Sequence, residues 1–254
     1  MPCRLGTTSY IIPADILPNL KFLANRVDDV ELVLFESDEY SNLPSPADVA
    51  RMGKIADDYG LSYTVHLPLD AWPGSADEAI RKRSLEKWFR VMERMAPLQP
   101  FAWIVHLNGL PRGDTGAQAR WQDQCARSLE ALSQKTDPRL LCVETLGYDY
   151  RLAWPMADEN NCSVCLDIGH LVLNGYDVAA YFDAWLKRTR VIHLHGVDPS
   201  SRDHKDISHL DEGLLGYILN ELNQTGPVDR VMTLEVFSRS DFETSMELLE
   251  RMLT

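Results

Sequence analysis

The sequence predicts a single-domain (β/α)8 barrel of the TIM type, and three observations favour this fold class. Apolar runs of strand length alternate with helical patterns eight times along the chain. The length of 254 residues suits one such barrel spanning residues 1–254. The turn after the first strand, Gly6-Thr7-Thr8-Ser9, lacks the glycine-rich phosphate fingerprint of the main alternative, an open doubly wound sheet.

Each predicted strand is a short apolar run that ends at polar or turn-forming residues. Because a helical pattern follows every one of these runs, the strands are expected to pair in parallel, with the helices covering the sheet. The eight strands are expected at residues 5–8, 30–36, 61–67, 101–108, 140–146, 164–167, 191–197 and 231–237.

The helices are predicted from apolar positions at helical spacing and from start and stop signals. Pro46 occupies a favourable first helical position after Ser45, and Gly60 is a typical helix stop. Two capping boxes, Ser75 with Glu78 and Ser240 with Glu243, predict the starts of the third and last helices. The helices are expected at residues 13–26, 46–60, 75–97, 115–135, 152–159, 178–187, 214–223 and from 240 onward.

Composition restricts the partners of the protein. The net charge of -13 argues against duplex DNA, because proteins that clamp DNA neutralise its phosphates with a basic surface. No run of eighteen apolar residues predicts a membrane span, and no basic-then-apolar leader begins the chain, so a cytoplasmic protein is expected. The partner is therefore expected to be a small-molecule substrate, and the sequence leaves the oligomeric state open.

The five cysteines have no framework spacing, which is typical of reduced thiols. Cys162 and Cys165 form a C-x-x-C pair, which raises a zinc or redox interpretation. However, residues three apart on a strand face opposite ways, and there is no second pair. Packed thiols are therefore the favoured interpretation.

Histidines and acidic residues recur where the predicted strands end. In a (β/α)8 barrel the carboxyl ends of all strands meet at one mouth, so these side chains are expected to converge. Burying so many unpaired imidazoles and carboxylates would cost free energy through desolvation and repulsion, and bound divalent cations would remove that cost. Zinc is the metal expected first, with manganese or iron as alternatives. A single such residue is more often a structural hydrogen-bonding group, but this alternative explains joint placement poorly. The residues are His66, His106, Glu144, Asp167, His193, His195 and Glu235.

The stretch 163–170 is the most informative of these strand ends. Asp167 closes an apolar strand, Gly169 is expected to let the backbone bend, and His170 follows on the exit turn. Taken alone, a pair such as Asp167 and His170 is more often a helix cap next to a surface histidine than a functional site.

Further candidates lie in the loops that follow the strands. His204 and His209 are potential ligands or simply solvated, and Glu36 reads equally well as a strand-end acid or as loop surface. Arg202, Lys205 and Arg239 follow the seventh and eighth strands, where cations suit phosphate oxygens, although loop cations are usually only solvated.

The order of these residues resembles the xylose-isomerase-like TIM barrel superfamily, which joins sugar isomerases and epimerases with AP-endonuclease-type phosphodiesterases. The resemblance implies that Glu144, Asp167, His195 and Glu235 hold one metal, with His195 preferred to His193 because H-G-V-D follows the family pattern. It also implies one to three metals per chain. His66, His106 and His170 match additional ligands of the three-zinc branch, whereas Asp203, His204, Asp206 and His209 do not match the spacing of its third site.

Three stretches, GTTSYIIPADILPN, VELVLFES and HLHGV, are similar to the cobamide-remodelling phosphodiesterases (CbiR) of this superfamily. This similarity implies hydrolysis of the nucleotide loop of a cobamide by a metal-activated water, with Glu144, Asp167 and Glu235 as catalytic residues. Two alternatives stay open. One is a sugar or sugar-phosphate isomerase or epimerase that uses one metal and the two glutamates as acid and base. The other is a non-enzymatic binding barrel.

Overall fold

A computed structural model describes residues 3–37, 39–200, 202–224 and 229–253. Eight parallel strands form a closed barrel in sequence order, and the pairing of Thr7 with Leu234 joins the last strand to the first. The predicted (β/α)8 fold is therefore confirmed. The strands are β1 (Arg4–Thr8), β2 (Asp29–Val33), β3 (Ser62–His66), β4 (Ala102–Val105), β5 (Leu141–Glu144), β6 (Ser163–Asp167), β7 (Thr189–Leu194) and β8 (Val231–Leu234).

The helices of the described residues surround this barrel. Ser45 caps the second helix by accepting from the Asp48 amide, and Gly60 ends it with a φ of 66°, a backbone conformation that favours glycine. The helices are α1 (Ile16–Leu23), α2 (Pro46–Tyr59), α3 (Glu78–Met95), α4 (Thr115–Ser133), α5 (Trp154–Glu159), α6 (Ile168–Leu173), α7 (Val178–Trp185), α8 (Glu212–Gln224) and α9 (Arg239–Leu253). None of them is long and apolar enough to cross a membrane.

Both predicted capping boxes were wrong by a few residues. Helix α3 is capped by Asp77, whose carboxylate accepts from the Ala79 amide, while the Ser75 hydroxyl, two residues earlier, accepts from the Asp77 amide. Helix α9 is capped by Ser238, whose hydroxyl accepts from the Asp241 amide. In each case another short polar side chain lay close enough in sequence to take the role.

Several other boundaries also differ from the prediction, and two of these differences concern candidate site residues. Strand β2 ends at Val33, and Glu36 lies beyond it in a loop, where it binds Ser41 and Arg90. Helix α6 begins directly after β6 and was not predicted, because six residues are too few to show helical periodicity.

The apolar core has two layers. A small cluster fills the barrel interior and includes Ile104, Cys142 and Cys165, while a larger cluster fills the space between sheet and helices. Cys162 belongs to the outer cluster. The two cysteines of the C-x-x-C pair therefore lie in different layers and are both free thiols, as the packed-thiol interpretation predicts.

Asp29 is a fully buried carboxyl in the barrel interior. It accepts hydrogen bonds from Ser62 Oγ at 2.5 Å and from the Thr64 amide at 3.2 Å. Burial outweighs these bonds and raises the pKa of Asp29 to about 6. A carboxyl with a raised folded-state pKa stabilises the protein only while protonated, so stability is lost as the pH rises from about 4 to about 6.

Replacing Asp29 by asparagine should remove this pH-dependent loss, because the amide keeps an acceptor for Thr64 and a donor for Ser62. The free energy of unfolding of Asp29→Asn relative to the wild type is expected to rise by about 2 kcal/mol between pH 4 and pH 7.5. Urea unfolding of both proteins at the two pH values measures this difference. A difference that stays constant with pH would contradict the assignment.

Candidate metal centre

The C-terminal mouth of the barrel brings the predicted strand-end residues together. His66, Glu144 and Asp167 are the last residues of β3, β5 and β6, while His106 and Glu235 directly follow β4 and β8. Their side chains are largely or fully buried. The residues come from five strands that are distant in sequence, so barrel closure is what places them at one site.

Glu144 lies at the centre of one half of this site. Its Oε2 atom is 2.7 Å from His106 Nε2 and 3.5 Å from His66 Nε2, and its Oε1 atom is 3.3 Å from His170 Nδ1. His66 Nδ1 lies 2.9 Å from the Leu67 carbonyl oxygen, which can only accept a hydrogen bond. This bond places the proton on Nδ1 and turns Nε2 toward Glu144.

Asp167 and Glu235 form the other half. Asp167 Oδ1 is 3.1 Å from His195 Nε2, and Asp167 Oδ2 is 3.0 Å from His170 Nδ1. Glu235 Oε2 lies 3.4 Å from His204 Nε2 and 3.8 Å from His195 Nε2. The loop after β7 is fastened here, because the His204 amide donates to His195 Nδ1 at 2.9 Å.

In residues 163–170, Asp167 both caps a helix and contributes its carboxylate to the site. Asp167 Oδ1 accepts from the His170 amide at 2.7 Å and so caps α6, while the same carboxylate faces the site. Gly169 does not bend the backbone as predicted, because it lies inside α6. Its role is spatial: a Cβ atom at this position would collide with the imidazole ring of His195.

Glu31 is a site residue that sequence reasoning missed. It lies in the middle of β2, fully buried, and its Oε2 atom is 2.9 Å from His193 Nε2. The only signal in the sequence is an acid inside the apolar run VELVLF. A charged residue in such a run is costly to bury and therefore deserves a functional hypothesis.

The electrostatics of the site depend on the mixture of acids and imidazoles. Burial disfavours the charged form of His170, but Asp167 and Glu144 outweigh it and raise the pKa of His170 to about 10. In the same way Glu235 raises the pKa of His204 to about 9. His193 and His204 in turn lower the pKa of Glu235 despite its burial. Without a metal the site therefore balances its carboxylates with protonated imidazoles.

Several buried polar atoms of the described residues make no hydrogen bond, and this pattern fits a metal centre. Ligand atoms around a four-coordinate ion lie about 3.4 Å apart when the bonds to the metal are about 2.1 Å long. The nitrogen–oxygen separations of 3.1–3.8 Å around Asp167 and Glu235 match this spacing. The unpaired atoms include Glu31 Oε1, Glu144 Oε1, Asp167 Oδ2, His193 Nδ1, His195 Nε2 and Glu235 Oε2.

More than one group of these side chains could hold an ion. Within each group the candidate ligand atoms lie within 4.8 Å of one another, and nitrogen and oxygen donors in this mixture suit zinc, manganese or iron. Three of the groups are His66 with His106 and Glu144, Glu144 with Asp167 and His170, and His170 with His195 and His204.

The predicted loop residues lie further from this centre. Arg202 binds one oxygen of Asp198, Oδ2, through both Nε at 2.7 Å and Nη2 at 2.6 Å. Arg239 binds Glu243 at 2.7 Å, and Lys205 pairs its backbone with Gly196. The imidazole of His209 lies 3.7 Å from Asp206 and is more than a third exposed.

Comparisons with known proteins agree with this architecture. The sequence model of the family described as "Xylose isomerase-like TIM barrel" matches residues 25–252. A search of curated proteins finds no match. Many solved structures match the fold.

Three of these structures, at 10–19% identity, cover nearly the whole chain. A D-tagatose 3-epimerase-like protein has a TM-score of 0.79 at 19% identity, covering 98% of this chain and 97% of its own. The 3-keto-D-glucoside 4-epimerase from E. coli has a TM-score of 0.75 at 15% identity, covering 98% of both chains. SacUVDE has a TM-score of 0.73 at 10% identity, covering 99% of both chains. With the family match over residues 25–252, the chain belongs to the xylose isomerase-like TIM barrel family.

Proposed function

We propose that the protein is a metal-dependent phosphodiesterase. The observation that carries this proposal is the second ligand set around Glu144, where His66 and His106 converge on a carboxylate that also faces the Asp167 half of the site. A one-metal isomerase has no need of these two histidines. Two adjacent cations suit a phosphodiester, because one neutralises the phosphate while the other assists the leaving oxygen.

The residues of the site have different roles in the proposed hydrolysis. A bound metal would supply a water of near-neutral pKa and neutralise charge on the phosphate. Glu144 is placed to join the two halves of the centre, with Asp167 and Glu235 as the remaining carboxylate ligands. The imidazoles of His170 and His204 are partly exposed, at 17% and 26%, and they would contact phosphate oxygens. The apolar barrel floor excludes bulk water from below.

We further propose a cobamide as the substrate and zinc as the metal. The three stretches similar to the cobamide-remodelling phosphodiesterases include the ends of β1, β2 and β7, together with the β1 and β2 loops that flank the mouth. Between the loops after β1, β2 and β8 lies a cavity of about 630 Å³, lined by apolar residues such as Ile11, Phe35 and Phe237. This cavity offers room for a substrate with a large organic body. Arg239 also lines it and is a candidate phosphate contact, as is Lys205, whereas Arg202 would first have to leave Asp198.

The solved structures favour a second candidate, a sugar epimerase or isomerase. Most of those named are epimerases of ketoses or keto sugars. Glu144 ends β5, Glu235 directly follows β8, and both face the centre, which is the arrangement that proton removal and return on two faces of a carbon requires.

One experiment separates the two candidates. The purified protein is analysed for bound metals and then incubated with a complete cobamide and, separately, with a ketose phosphate. Release of the lower-ligand nucleoside, free or phosphorylated, supports the phosphodiesterase, and interconversion of the sugar supports the epimerase. Failure of the metal-loaded protein to convert either compound would favour a binding barrel and would overturn both proposals.

Metal removal is expected to abolish the activity. Dialysis against a chelator should lower turnover to the uncatalysed background, because the ion supplies several kcal/mol of charge stabilisation. Addition of zinc should restore it, and titration should give the number of ions needed for full activity, between one and three. Elemental analysis must show that the dialysed protein is free of metal. If that protein still turns over substrate at the undiminished rate, this mechanism is excluded.

A further inference from the structure

Trp72 is an exposed aromatic side chain on the loop that follows β3. All six tryptophans lie within the described residues, and Trp72 is the only one of them that is exposed, at 45%. The loop lies at the same end of the barrel as the metal centre, because it begins directly after His66, the last residue of β3. Tryptophan is highly buried on average, so this exposure points to a use for the ring.

The main chain around Trp72 is held firmly in place. The Trp72 amide donates to the buried Ser84 hydroxyl at 2.8 Å. Asn108 Nδ2 donates to the carbonyl oxygens of Leu69 and Ala71, at 2.8 and 3.2 Å. Exposure of the indole is therefore not the result of a loose loop. An aromatic surface fixed in this way binds a flat ligand with little loss of conformational entropy.

The indole also lies against the loop that follows β4. Gly109 in that loop has a φ of 83°, and a Cβ atom added there would lie 3.1 Å from Trp72 Cδ1. His66 ends β3 and His106 directly follows β4. Trp72 therefore belongs to the rim of the mouth on the side of these two histidines.

A cavity of about 420 Å³ lies beside the ring. Trp72 and Ile80 contribute apolar surface to it, and Asp70, Arg83 and Lys87 contribute its charges. Lys87 pairs with Asp70, so these two charges compensate each other. Arg83 makes no hydrogen bond or ion pair with any described residue and is the uncompensated charge of the lining. The cavity therefore suits a flat ring that stacks on the indole and an anionic group that pairs with the guanidinium.

We propose that Trp72 and Arg83 form a subsite for a mononucleotide, whose heteroaromatic base stacks on Trp72 and whose phosphate pairs with Arg83. Stacking on an aromatic side chain accepts any base, because every base has a π-face. Arginine suits phosphate because its planar donors match the phosphate oxygens. The subsite uses none of the metal ligands and so goes beyond the proposed reaction. Its occupant is either a nucleoside phosphate released at the metal centre or a free nucleotide.

The test is equilibrium dialysis of the full-length, metal-loaded protein with AMP, adenosine and ribose 5-phosphate. AMP should bind more tightly than either fragment. Trp72→Ala is expected to weaken AMP binding about 10-fold or more, and Trp72→Phe should retain most of the affinity because it keeps a ring. Arg83→Gln should weaken AMP binding about 3-fold and leave adenosine binding unchanged, since adenosine has no phosphate.

Two variants serve as matched controls. Tyr59 is an aromatic residue with 51% exposure at the end of α2, and Lys82 is an exposed cation next to Arg83 that pairs with Glu86. Tyr59→Ala and Lys82→Gln should both leave AMP affinity unchanged. Wild-type AMP affinity in Trp72→Ala would overturn the subsite. Binding of ribose 5-phosphate as tight as that of AMP would also overturn it, because the phosphate alone would then account for binding.

A second copy of the chain is the other possible cover for Trp72. Acrylamide quenching of tryptophan fluorescence detects it. If Trp72 becomes protected as the protein concentration rises, and sedimentation shows a dimer that Trp72→Ala dissociates, the surface is a self-interface and the subsite is wrong. Protection by AMP at constant protein concentration supports the subsite.

Inhibition by AMP separates the two sources of the nucleotide. A subsite for the reaction's own product predicts that AMP inhibits phosphodiester hydrolysis competitively, with an inhibition constant about 10-fold weaker in Trp72→Ala. AMP binding through Trp72 without inhibition assigns the subsite to a free nucleotide. If AMP binds through Trp72 but the protein hydrolyses no phosphodiester, the subsite stands and the proposed function falls.

Discussion

Replacement of Glu144 by alanine is expected to lower kcat/KM by about 10³-fold or more, because the centre would lose several kcal/mol of charge stabilisation. Glu144 is the carboxylate approached by His66, His106 and His170, and by His193 at a longer distance. Its loss leaves imidazoles that repel a cation when protonated and lack their shared anionic partner.

The measurement combines turnover, metal content and unfolding. Elemental analysis should show fewer ions per chain in Glu144→Ala, whereas urea unfolding should remain a single cooperative transition, because the helix–sheet core does not involve this residue. Asp29→Asn serves as a buried-acid control with wild-type turnover. Full activity of Glu144→Ala would show that the active site lies elsewhere.

The barrel could be predicted because its signals are local. Each strand is an apolar run and each helix has its own periodicity, so eight repeats were enough to indicate the fold without any long-range information. Helix starts were less secure, since neighbouring polar residues such as Ser75 and Asp77 both suit a cap and only the three-dimensional backbone selects one.

The meeting of the site residues at one place could be predicted from the fold rather than from any sequence motif. Once His66, His106 and Glu144 were assigned to strand ends, barrel closure alone required them to meet. Glu31 could not be found in this way, because it lies in mid-strand, where the sequence predicts an apolar side chain. The loop residues Arg202 and His209 were equally unpredictable, since their local partners Asp198 and Asp206 depend on the path of the loop after β7.

Like the role of Glu31, the need for a residue without a side chain at position 169 is visible only in the structure. His195 lies directly against Gly169, and a Cβ atom there would overlap the Cε1, Nδ1 and Nε2 atoms of its ring. The glycine is helical rather than left-handed, so backbone strain is not the issue. Because the His195 ring and Gly169 are both buried, neither can move away without disturbing Asp167, which caps α6.

Gly169→Ala is therefore expected to disable the centre without changing any ligand. Displacement of His195 by about 1 Å should lower turnover on the order of 10²-fold, and the overpacked interior should lose about 1–3 kcal/mol of stability. Gly216→Ala in α8 is the control, since an added Cβ there meets no atom within 4 Å. It should raise stability by about 0.5–1 kcal/mol and leave turnover unchanged, because alanine is the better helix former. Zinc titrations, turnover and urea unfolding of both variants test this expectation. Equal zinc affinity and equal turnover in Gly169→Ala and Gly216→Ala would mean that the position of His195 does not govern the site.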